Sequence, residues 1–187
     1  MKKAIFLDRD GTLNIEKEYL YQEKDLEFEK GVIEALSIFR DLGYLLIVVT
    51  NQSGIARNYY TEEDLEIFHQ AFQRRLSFFG LKIDKFYYCP HHPEKGIGKY
   101  KQDCFCRKPK PGMLEKGIAE FDVDRNLSYM VGDKYADIQA GRAARISPIL
   151  VRTGYGKEEE QKLQLGEAKV FDTLLAFAHY IKQRERL

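Results

Sequence analysis

The amino-acid sequence predicts an α/β protein with a doubly wound, mainly parallel sheet. Short apolar runs alternate with segments of helical periodicity, the apolar runs are continuous, and polar residues follow their carboxyl ends. Continuous apolar strands are typical of a parallel sheet that helices cover on both faces. Ligands bind at the carboxyl edge of such a sheet. The polar residues at the strand ends therefore predict where the functional site lies.

The predicted strands are apolar runs of about five residues bounded by turn residues. They lie at about residues 4–8, 44–49, 85–89, 128–132 and 147–151. The first strand ends in Asp8 and is followed by Gly11, and the second ends before Thr50. The fourth is followed at once by Asp133. Each of these strands is therefore expected to turn into a polar loop at the same edge of the sheet.

The predicted helices have apolar residues three and four positions apart, together with residues typical of helix ends. Thr61 is a candidate N-cap, Gly43 and Gly80 are candidate stops, and Pro111 opens the third helix. The helices are expected over about residues 32–42, 61–79, 111–121 and 136–144, with a C-terminal helix from Asp172. The run from Lys157 to Glu160 is interpreted as a solvated helix start or loop.

Composition and length favour one globular domain over residues 1–187, because 44% of the residues are hydrophobic and 32% are charged. No apolar run approaches the ~20 residues that span a bilayer. The first eight residues lack the apolar stretch of a secretory signal, so we expect a cytoplasmic protein. A net charge of +1 argues against a nucleic-acid or membrane surface. Nothing in the sequence demands more than a monomer.

Two carboxylates, Asp8 and Asp10, stand on alternate residues at the end of the first strand. Neighbouring strands are expected to bring Asp133 and Asp137 close to them. Carboxylates that share a site repel one another unless a cation or proton intervenes, and this number of oxygen ligands suits Mg²⁺. One aspartate could then attack phosphorus while the other acts as acid and base. Thr50, its following backbone amides and Lys108 are candidate donors for the charge that develops on a phosphoryl group.

These residues, in this order along nearly the whole chain, resemble the four motifs of the haloacid dehalogenase superfamily. The resemblance implies a Rossmann-like core, Asp8 as nucleophile and Asp10 as acid/base. It also implies Mg²⁺ bound by Asp8, the Asp10 carbonyl and Asp133. An aspartate two residues after the nucleophile is the pattern of the phosphatases of that superfamily. The short segment from residue 11 to 30 leaves no room for a large cap domain.

The cysteines of the chain, Cys89, Cys104 and Cys106, all fall in one short segment. An odd number argues against a disulfide framework. With one histidine they form a tetrahedral set for a structural Zn²⁺ site within a loop over residues 89–108. Chemistry alone leaves His91 and His92 open as the fourth ligand. Such a metal would hold the following Arg107 and Lys108 in place.

The segments 89–93 and 104–113 and the loop 50–54 are similar to those of the heptose-bisphosphate phosphatases, a branch of the same superfamily. This resemblance implies zinc ligands Cys89, His91, Cys104 and Cys106. It implies contacts to phosphate and sugar from the residues Asn51, Gln52, Ser53, Arg107 and Lys108, with Lys134 near the metal. It further implies that a loop near Glu16 to Tyr19 lines the substrate.

We therefore expect Mg²⁺-dependent hydrolysis of the C7 phosphate of a heptose 1,7-bisphosphate through an aspartyl-phosphate, in the synthesis of lipopolysaccharide precursors. Histidinol phosphate or another small phosphomonoester is the alternative substrate. A second class of protein stays open, a non-catalytic zinc-clipped module for nucleic-acid ends, suggested by the basic run from Arg107 to Lys110. Against it stand the neutral charge balance and the acidic cluster, which repels phosphate unless Mg²⁺ is bound.

Overall fold

The computed structural model describes residues 1–185 and contains six strands and six α-helices among them. The strands are β1 (Ala4–Leu7), β2 (Leu45–Asn51), β3 (Lys85–Cys89), β4 (Tyr129–Gly132), β5 (Ser147–Val151) and β6 (Lys169–Phe171). The helices are α1 (Val32–Asp41), α2 (Glu62–Ser77), α3 (Gly112–Phe121), α4 (Tyr135–Ala143), α5 (Gly156–Glu159) and α6 (Leu174–Arg184). None of these helices is long and apolar enough to cross a bilayer.

The six strands form one sheet in the order β3-β2-β1-β4-β5-β6, and every neighbouring pair is parallel. The chain starts in the middle, winds outward to β3 and then returns to β4 on the other side of β1. The strand order therefore reverses between β1 and β4, which is where such sheets open a ligand crevice. Leu7 pairs with Val48 on one side and Val131 on the other. This register places Asp8 between the loops that follow β2 and β4.

Both faces of the sheet are buried, which explains why the strands read as continuous apolar runs. Ile5 and Leu7 of β1 pack into a core with α1, α2 and α6. Ala4 and Phe6 point to the opposite face and pack with α3 and α4. Successive side chains of a strand point to opposite faces, so every residue of β1 needs to be apolar. The predicted doubly wound parallel fold is confirmed.

The helix ends follow the local chemistry of the sequence. Thr61 Oγ1 accepts a hydrogen bond from the Asp64 amide at 3.1 Å, and Asp64 Oδ2 accepts one from the Thr61 amide at 2.8 Å. This reciprocal capping box fixes the start of α2. Gly43 lies just beyond α1 with a φ of +83°, a conformation that glycine adopts without steric cost. Pro111 is the N-cap of α3 rather than its first residue.

One strand is absent from the sequence-based prediction. Strand β6 has only three residues, and its burial pattern is exposed at Lys169 and intermediate afterwards, so it offers no apolar run to detect. Helix α5 spans four residues and overlaps the stretch from Lys157 to Glu160 that the sequence predicts as a solvated helix start or loop. The C-terminal helix begins two residues later than predicted, because Thr173 Oγ1 caps it by accepting from the Ala176 amide at 3.1 Å.

The segment between β1 and α1 contains one short 3₁₀ turn, Glu23–Asp25, and no folded cap. Within this segment, an isolated antiparallel bridge joins Asn14 to Phe28. The absence of a large cap is thus confirmed for the described part of the chain, and the carboxyl edge of the sheet stays open.

Candidate active site

A buried ion-pair cluster lies at the carboxyl edge of the sheet, beyond β1. Lys108 Nζ is 2.9 Å from Asp8 Oδ1 and 2.6 Å from Asp137 Oδ1. It also donates to the carbonyl oxygen of Val49 at 2.8 Å. Burial lowers the pKa of Lys108, but the charges of Asp137 and Asp8 outweigh it and raise the pKa above its usual value. Lys108 is therefore a fixed cation between two carboxylates.

Asp133 adds a third carboxylate to this cluster. Carboxylate oxygens of Asp8, Asp133 and Asp137 lie within 4.8 Å of one another. Burial, and then the charges of Asp8 and Asp137, raise the pKa of Asp133 to about 8. Burial and Asp8 also raise the pKa of Asp137 to about 6, although Lys108 opposes them. Three carboxylates thus share a buried site with the ammonium group of Lys108, and both burial and their mutual repulsion favour a proton or a further cation there.

The surroundings of Asp133 fit a small hard cation. Its Oδ2 accepts from the Tyr155 amide at 2.9 Å, whereas its buried Oδ1 has no hydrogen-bond partner among the described residues. An unpartnered buried carboxylate oxygen is costly, and a cation would satisfy it. A Cβ at Gly11 or Gly154 would come within 2.3 Å of Asp133 Oδ2. Glycine at both positions therefore keeps this carboxylate in place.

Asp10 is held by three neighbours. The guanidinium of Arg9 donates to both of its carboxylate oxygens at 3.0 Å. Asn14 Nδ2 donates to Oδ1 at 2.9 Å, and Gln52 Nε2 donates to Oδ2 at 3.0 Å. Burial alone would raise the pKa of Asp10, but the charge of Arg9 and these hydrogen bonds lower it below its usual value. These contacts thus favour the ionised form of Asp10 and fix its orientation.

Arg9 stands between the two carboxylates in sequence and is fully buried. Besides Asp10, it donates to the carbonyl oxygen of Leu20 at 2.8 Å and lies 3.3 Å from His69 Nε2. Its guanidinium carbon lies 4.6 Å from the centroid of the Phe68 ring. Burial, and then the charge of Arg9, hold the pKa of His69 well below its usual value. His69 is therefore a neutral partner, and Arg9 links Asp10 to helix α2 and to the loop before Tyr21.

The end of β2 and the loop that follows it supply side chains whose polar atoms are largely hydrogen-bonded to other parts of the protein. Asn51 Nδ2 donates to the Lys108 carbonyl oxygen at 3.0 Å, and Asn51 Oδ1 accepts from the Lys108 amide at 3.1 Å. Gln52 Nε2 also donates to Thr50 Oγ1 at 2.9 Å, and its Oε1 accepts from Tyr60. Asn51 and Gln52 therefore position Lys108 and Asp10, while Ser53 faces the cleft.

The Cys/His segment converges as its spacing predicts. The sulfurs of Cys89, Cys104 and Cys106 lie 3.0–3.2 Å apart, well beyond the about 2.05 Å of a disulfide bond. His91 Nδ1 lies 3.5 Å from Cys106 Sγ. His91, not His92, completes this group of four donor atoms within 4.8 Å. Hydrogen bonds from the neighbouring thiols and His91, Cys89 first, lower the pKa of Cys106 to about 5. This donor set fits a four-coordinate soft metal with no open position.

The Cys/His cluster is connected to the ion-pair cluster through the sheet edge. Cys89 is the last residue of β3 and pairs with Asn51 of β2. The carbonyl oxygen of Cys89 accepts from the Gln52 amide at 2.8 Å. Cys106 is followed at once by Arg107 and Lys108. The Cys/His cluster therefore joins the end of β3 to the chain segment that leads into Lys108.

Two adjoining cavities open onto these residues. One, of about 420 Å³, is lined by Asp8, Asp10, Thr50, Asn51, Ser53, Arg107, Lys108, Pro109, Lys134, Ala136 and Asp137. The other, of about 290 Å³, is lined by Asp10, Glu16, Glu18, Tyr19, Asn51, Gln52, Ser53, Tyr60, Lys134 and Tyr155. The first combines cations with the carboxylate cluster and suits an anion with a metal. The second offers acceptors and aromatic rings, which suit a hydroxylated molecule.

The predicted Glu16–Tyr19 loop lies beside the carboxylate cluster. Glu16 Oε2 is 3.3 Å from Lys134 Nζ. Burial lowers the pKa of Lys134, but the nearby carboxylates, Asp8 first, raise it above its usual value. Lys134 therefore joins the loop to the start of α4 as a cation.

All the residues predicted for the sheet edge come together there, and the four predicted zinc ligands form a separate cluster. Sequence reasoning missed Arg9 and Asn14, which donate to Asp10. It also missed Tyr60, which donates to Gln52, and His69, which lies beside Arg9. The one sequence feature that points to Arg9 is its place between Asp8 and Asp10 in the chain. The contacts of His69 and Tyr60 depend on how α2 and its preceding loop pack, which no local pattern carries.

Comparison with known proteins places the chain among sugar-phosphate enzymes. A family profile described as HAD-hydrolase-like matches residues 105–177. A D-glycero-beta-D-manno-heptose-1,7-bisphosphate 7-phosphatase of Pasteurella multocida (strain Pm70) is 51% identical over 165 residues, covering 88% of this chain and 89% of that protein. The enzyme of that name from Vibrio cholerae is 44% identical over 184 residues, covering 96% of each.

Solved structures agree with the sequence relatives. The chain resembles a crystal structure of D,D-heptose 1,7-bisphosphate phosphatase from B. bronchiseptica, complexed with magnesium and phosphate. The TM-score is 0.87 at 32% identity, covering 97% of this chain and 99% of the other. A structure of the corresponding enzyme from Burkholderia thailandensis has a TM-score of 0.72 at 29% identity, covering 97% and 99%.

Proposed function

The chain belongs to the family of D-glycero-beta-D-manno-heptose-1,7-bisphosphate 7-phosphatases, and we propose that it hydrolyses the C7 phosphate of this sugar bisphosphate with Asp8 as nucleophile. The observation that carries the proposal is the buried Asp8–Lys108–Asp137 cluster with Asp133 beside it, at the switch point of the sheet. It combines a carboxylate nucleophile, a fixed cation and a cation-binding acidic group in a cavity that fits a phosphate.

In this proposal Asp8 attacks phosphorus with Oδ2. Its Oδ1 accepts from the Arg9 amide at 2.8 Å and faces Lys108, whereas Oδ2 has no hydrogen-bond partner among the described residues. The bond from phosphorus to the sugar oxygen breaks as the bond to Asp8 forms, giving an aspartyl-phosphate. Lys108, Thr50 and the amides that follow Thr50 stabilise the charge on the phosphoryl oxygens.

Asp10 is proposed as the acid and base of the two half-reactions. A phosphate dianion that arrives beside Asp10 opposes the effect of Arg9 and raises the pKa of the carboxyl group. The carboxyl group can then deliver a proton to the leaving C7 oxygen. The resulting carboxylate accepts a proton from the water that attacks the aspartyl-phosphate, which releases phosphate and restores Asp8.

Two metal ions complete the proposal. Asp8, Asp133 and the Asp10 carbonyl would hold Mg²⁺, which neutralises the carboxylates and the phosphate in such sites. The unpartnered Oδ1 of Asp133 supports this assignment. Cys89, His91, Cys104 and Cys106 would hold Zn²⁺ in a structural role, since all four positions are filled by protein. Its contribution to catalysis is the placement of Arg107 and Lys108.

The sugar is proposed to lie in the second cavity. Glu16 and Tyr19 of the loop after β1 would contact its hydroxyl groups, together with Lys134, and Ser53 and Asn51 lie where the two cavities join. Arg107, on the rim of the phosphate cavity, is suited to the second phosphate, because a guanidinium binds phosphate through two parallel hydrogen bonds.

A phosphate-release assay tests the substrate. Both anomers of heptose 1,7-bisphosphate and histidinol phosphate are compared at saturating Mg²⁺. We expect kcat/KM for a heptose bisphosphate to exceed that for histidinol phosphate by at least tenfold, with the C1 phosphate left on the product. A tenfold preference for histidinol phosphate would overturn the proposed substrate but would leave the proposed phosphatase mechanism intact.

The nucleophile is tested by Asp8→Asn. An amide cannot attack phosphorus at a useful rate, so we expect activity to fall by about 10⁴-fold or more, comparable to removal of a nucleophile in other hydrolases. Fold and zinc content should persist, as measured by circular dichroism and elemental analysis. An active Asp8→Asn enzyme would show that the nucleophile is another group.

A further inference from the structure

The basic side chains around the cleft divide into those that face a carboxylate and those that do not. The paired ones are Lys108 with Asp8 and Asp137, Arg9 with Asp10, and Lys134 with Glu16. Within residues 1–185, Arg57 and Arg107 have no carboxylate within 4.0 Å. The side chain of Arg107 donates only to the carbonyl oxygen of His91, at 3.2 Å. Two guanidinium charges near the substrate cavities are thus left without a counter-ion.

Arg57 lies behind residues that line the two cavities and contacts two of them. Its main-chain amide donates to the Ser53 carbonyl oxygen at 3.2 Å, and its guanidinium carbon lies 5.7 Å from the centroid of the Tyr19 ring. Ser53 lines both cavities and Tyr19 lines the second. The Arg57 Nε is buried and has no hydrogen-bond partner among the described residues. A buried N–H without a hydrogen-bond partner is costly. An acceptor supplied by a bound ligand would therefore stabilise this position of the Arg57 side chain.

The main chain that leads into Arg57 is held in place by its neighbours. The preceding residues Ile55 and Ala56 are buried, and the Ala56 carbonyl oxygen accepts from the Ile97 amide of the Cys/His loop at 2.9 Å. Arg57 therefore lies where the loop after β2 contacts the Cys/His loop, which also carries Arg107.

The guanidinium groups of Arg57 and Arg107 belong to two loops that are in contact through the Ala56 carbonyl oxygen and the Ile97 amide. Like charges on touching loops repel each other when no counter-ion lies between them. An anion bound by both groups would relieve that repulsion and would accept from the buried Nε. A phosphate has the charge and the number of acceptor oxygens to do both.

We propose that Arg57 binds, together with Arg107, the phosphate of the substrate that is not cleaved. The inference rests on the proposed function, because it takes the reacting phosphate to lie at Asp8 and Lys108. The sugar then extends past Ser53 and Tyr19, and its far end carries the second phosphate. Arg57 is therefore a specificity-determining residue, which makes a bisphosphate a better substrate than a monophosphate of the same sugar.

The test compares heptose 1,7-bisphosphate with heptose 7-phosphate, which lacks the distal phosphate. The readout is the ratio of kcat/KM for the two substrates, measured for the wild type and for Arg57→Gln, Arg57→Lys and Lys95→Gln. Lys95 is an exposed cation of the segment between Cys89 and Cys104, so its variant controls for the general loss of one positive charge. Circular dichroism and zinc content establish that each variant is folded.

We expect the ratio to fall about 10- to 100-fold in Arg57→Gln, as for the loss of a charge-assisted hydrogen bond. It should fall less in Arg57→Lys, which keeps the charge but not the fork of donors. In Lys95→Gln it should change less than twofold. An unchanged ratio in Arg57→Gln, or an equal loss on both substrates, would overturn the inference. If Arg57→Gln does not fold, the comparison uses Arg57→Lys and Lys95→Gln. A fall of the ratio in Lys95→Gln as large as that in Arg57→Lys would then overturn the inference. A wild type that cleaves neither substrate would instead refute the proposed function, and the inference with it.

Discussion

At the scale of single residues, the cleft contains side chains whose polar atoms are already committed to other parts of the protein. Asn51 uses both ends of its amide on the main chain of Lys108, and Gln52 joins Asp10, Thr50 and Tyr60. A resemblance between motifs implies that such residues contact substrate. The geometry gives both a second task, which is to orient the groups that would react, and this task is invisible in a motif.

Glycines 11 and 154 show how closely the acidic cluster is packed. In Gly154→Ala, the new Cβ would lie 2.3 Å from Asp133 Oδ2 and 2.7 Å from the Gly11 Cα, at a φ of +52°. We expect Asp133 to be displaced and the apparent affinity for Mg²⁺ to fall about tenfold or more, as for other changes beside a metal ligand. The measurement is phosphate release against Mg²⁺ concentration.

Gly80→Ala is the matched control for this prediction. Gly80 also has a positive φ, +69°, but a Cβ there would meet nothing within 4 Å. Both variants carry the strain of a left-handed alanine, about 1 kcal/mol. Only Gly154→Ala should change the dependence on Mg²⁺. Equal Mg²⁺ curves for the two variants would mean that the contact with Asp133 has no role in metal binding.

At the scale of elements, the Cys/His loop is a long irregular segment connected to the sheet at both ends. It begins at Cys89, the last residue of β3, and ends just before Lys108, whose ammonium group reaches Asp8. Between them lie a short 3₁₀ turn, Gly98–Tyr100, and an isolated bridge between His92 and Lys101. Such a segment has little apolar burial to offset its conformational entropy, so a metal is expected to supply most of its order.

Cys104→Ser should therefore lower both zinc content and activity. A serine hydroxyl is a poor ligand beside two thiolates and an imidazole, so we expect less than one zinc per chain by elemental analysis. Activity should fall at least tenfold as Lys108 loses its position. Full zinc content in Cys104→Ser would show that another ligand set is used.

A histidine pair provides the control for this ligand set. His91 Nδ1 faces the thiols, whereas His92 Nδ1 accepts from the amides of Glu94 and Lys95 at 3.2 and 3.0 Å. We expect His91→Ala to lose zinc and His92→Ala to keep it. Zinc loss in both variants would mean that the loop as a whole, rather than one imidazole, determines binding.

The sequence predicts well those elements whose burial is evident from the hydrophobicity of their own residues. Strands β1, β2 and β4 are buried on both faces and read as apolar runs, so their ends, and the acidic groups that follow, could be located in advance. Strand β6 is an edge strand whose pairing with β5 is decided by the rest of the sheet. The same distinction separates Asp8 and Asp133, which strand ends reveal, from Arg9, whose partners come from α2 and a distant loop.

At the scale of the whole molecule, the fold brings acidic residues from two separate strand ends into one buried cluster. The free-energy cost of burying these carboxylates depends on pH. In the metal-free protein the pKa of Asp133 is raised to about 8, above its ordinary value of about 3.9. The folded protein therefore retains a proton that the unfolded chain has lost. Stability must then fall as pH rises between these two values.

The window from pH 7 to 8 isolates this effect. Asp137 has a pKa of about 6, and the pKa values of His69 and His92 are lowered, so these groups have largely titrated below pH 7. Without Mg²⁺, we expect the free energy of unfolding to fall by about 1 kcal/mol over this unit of pH, given about 1.4 kcal/mol for a full unit of differential titration. Urea unfolding at fixed pH, with zinc retained and no other divalent cation, measures it.

Mg²⁺ should abolish this dependence, because bound cation keeps Asp133 ionised in the folded protein and removes the differential uptake of protons. Stabilisation by saturating Mg²⁺ should accordingly be larger at pH 8 than at pH 7. Asp133→Asn has no proton to lose and should show neither the loss of stability with pH nor the stabilisation by Mg²⁺. If Asp133→Asn instead kept the wild-type loss between pH 7 and 8, the titrating group would be another one. The acidic cluster would then not be the place where metal binding and folding are linked.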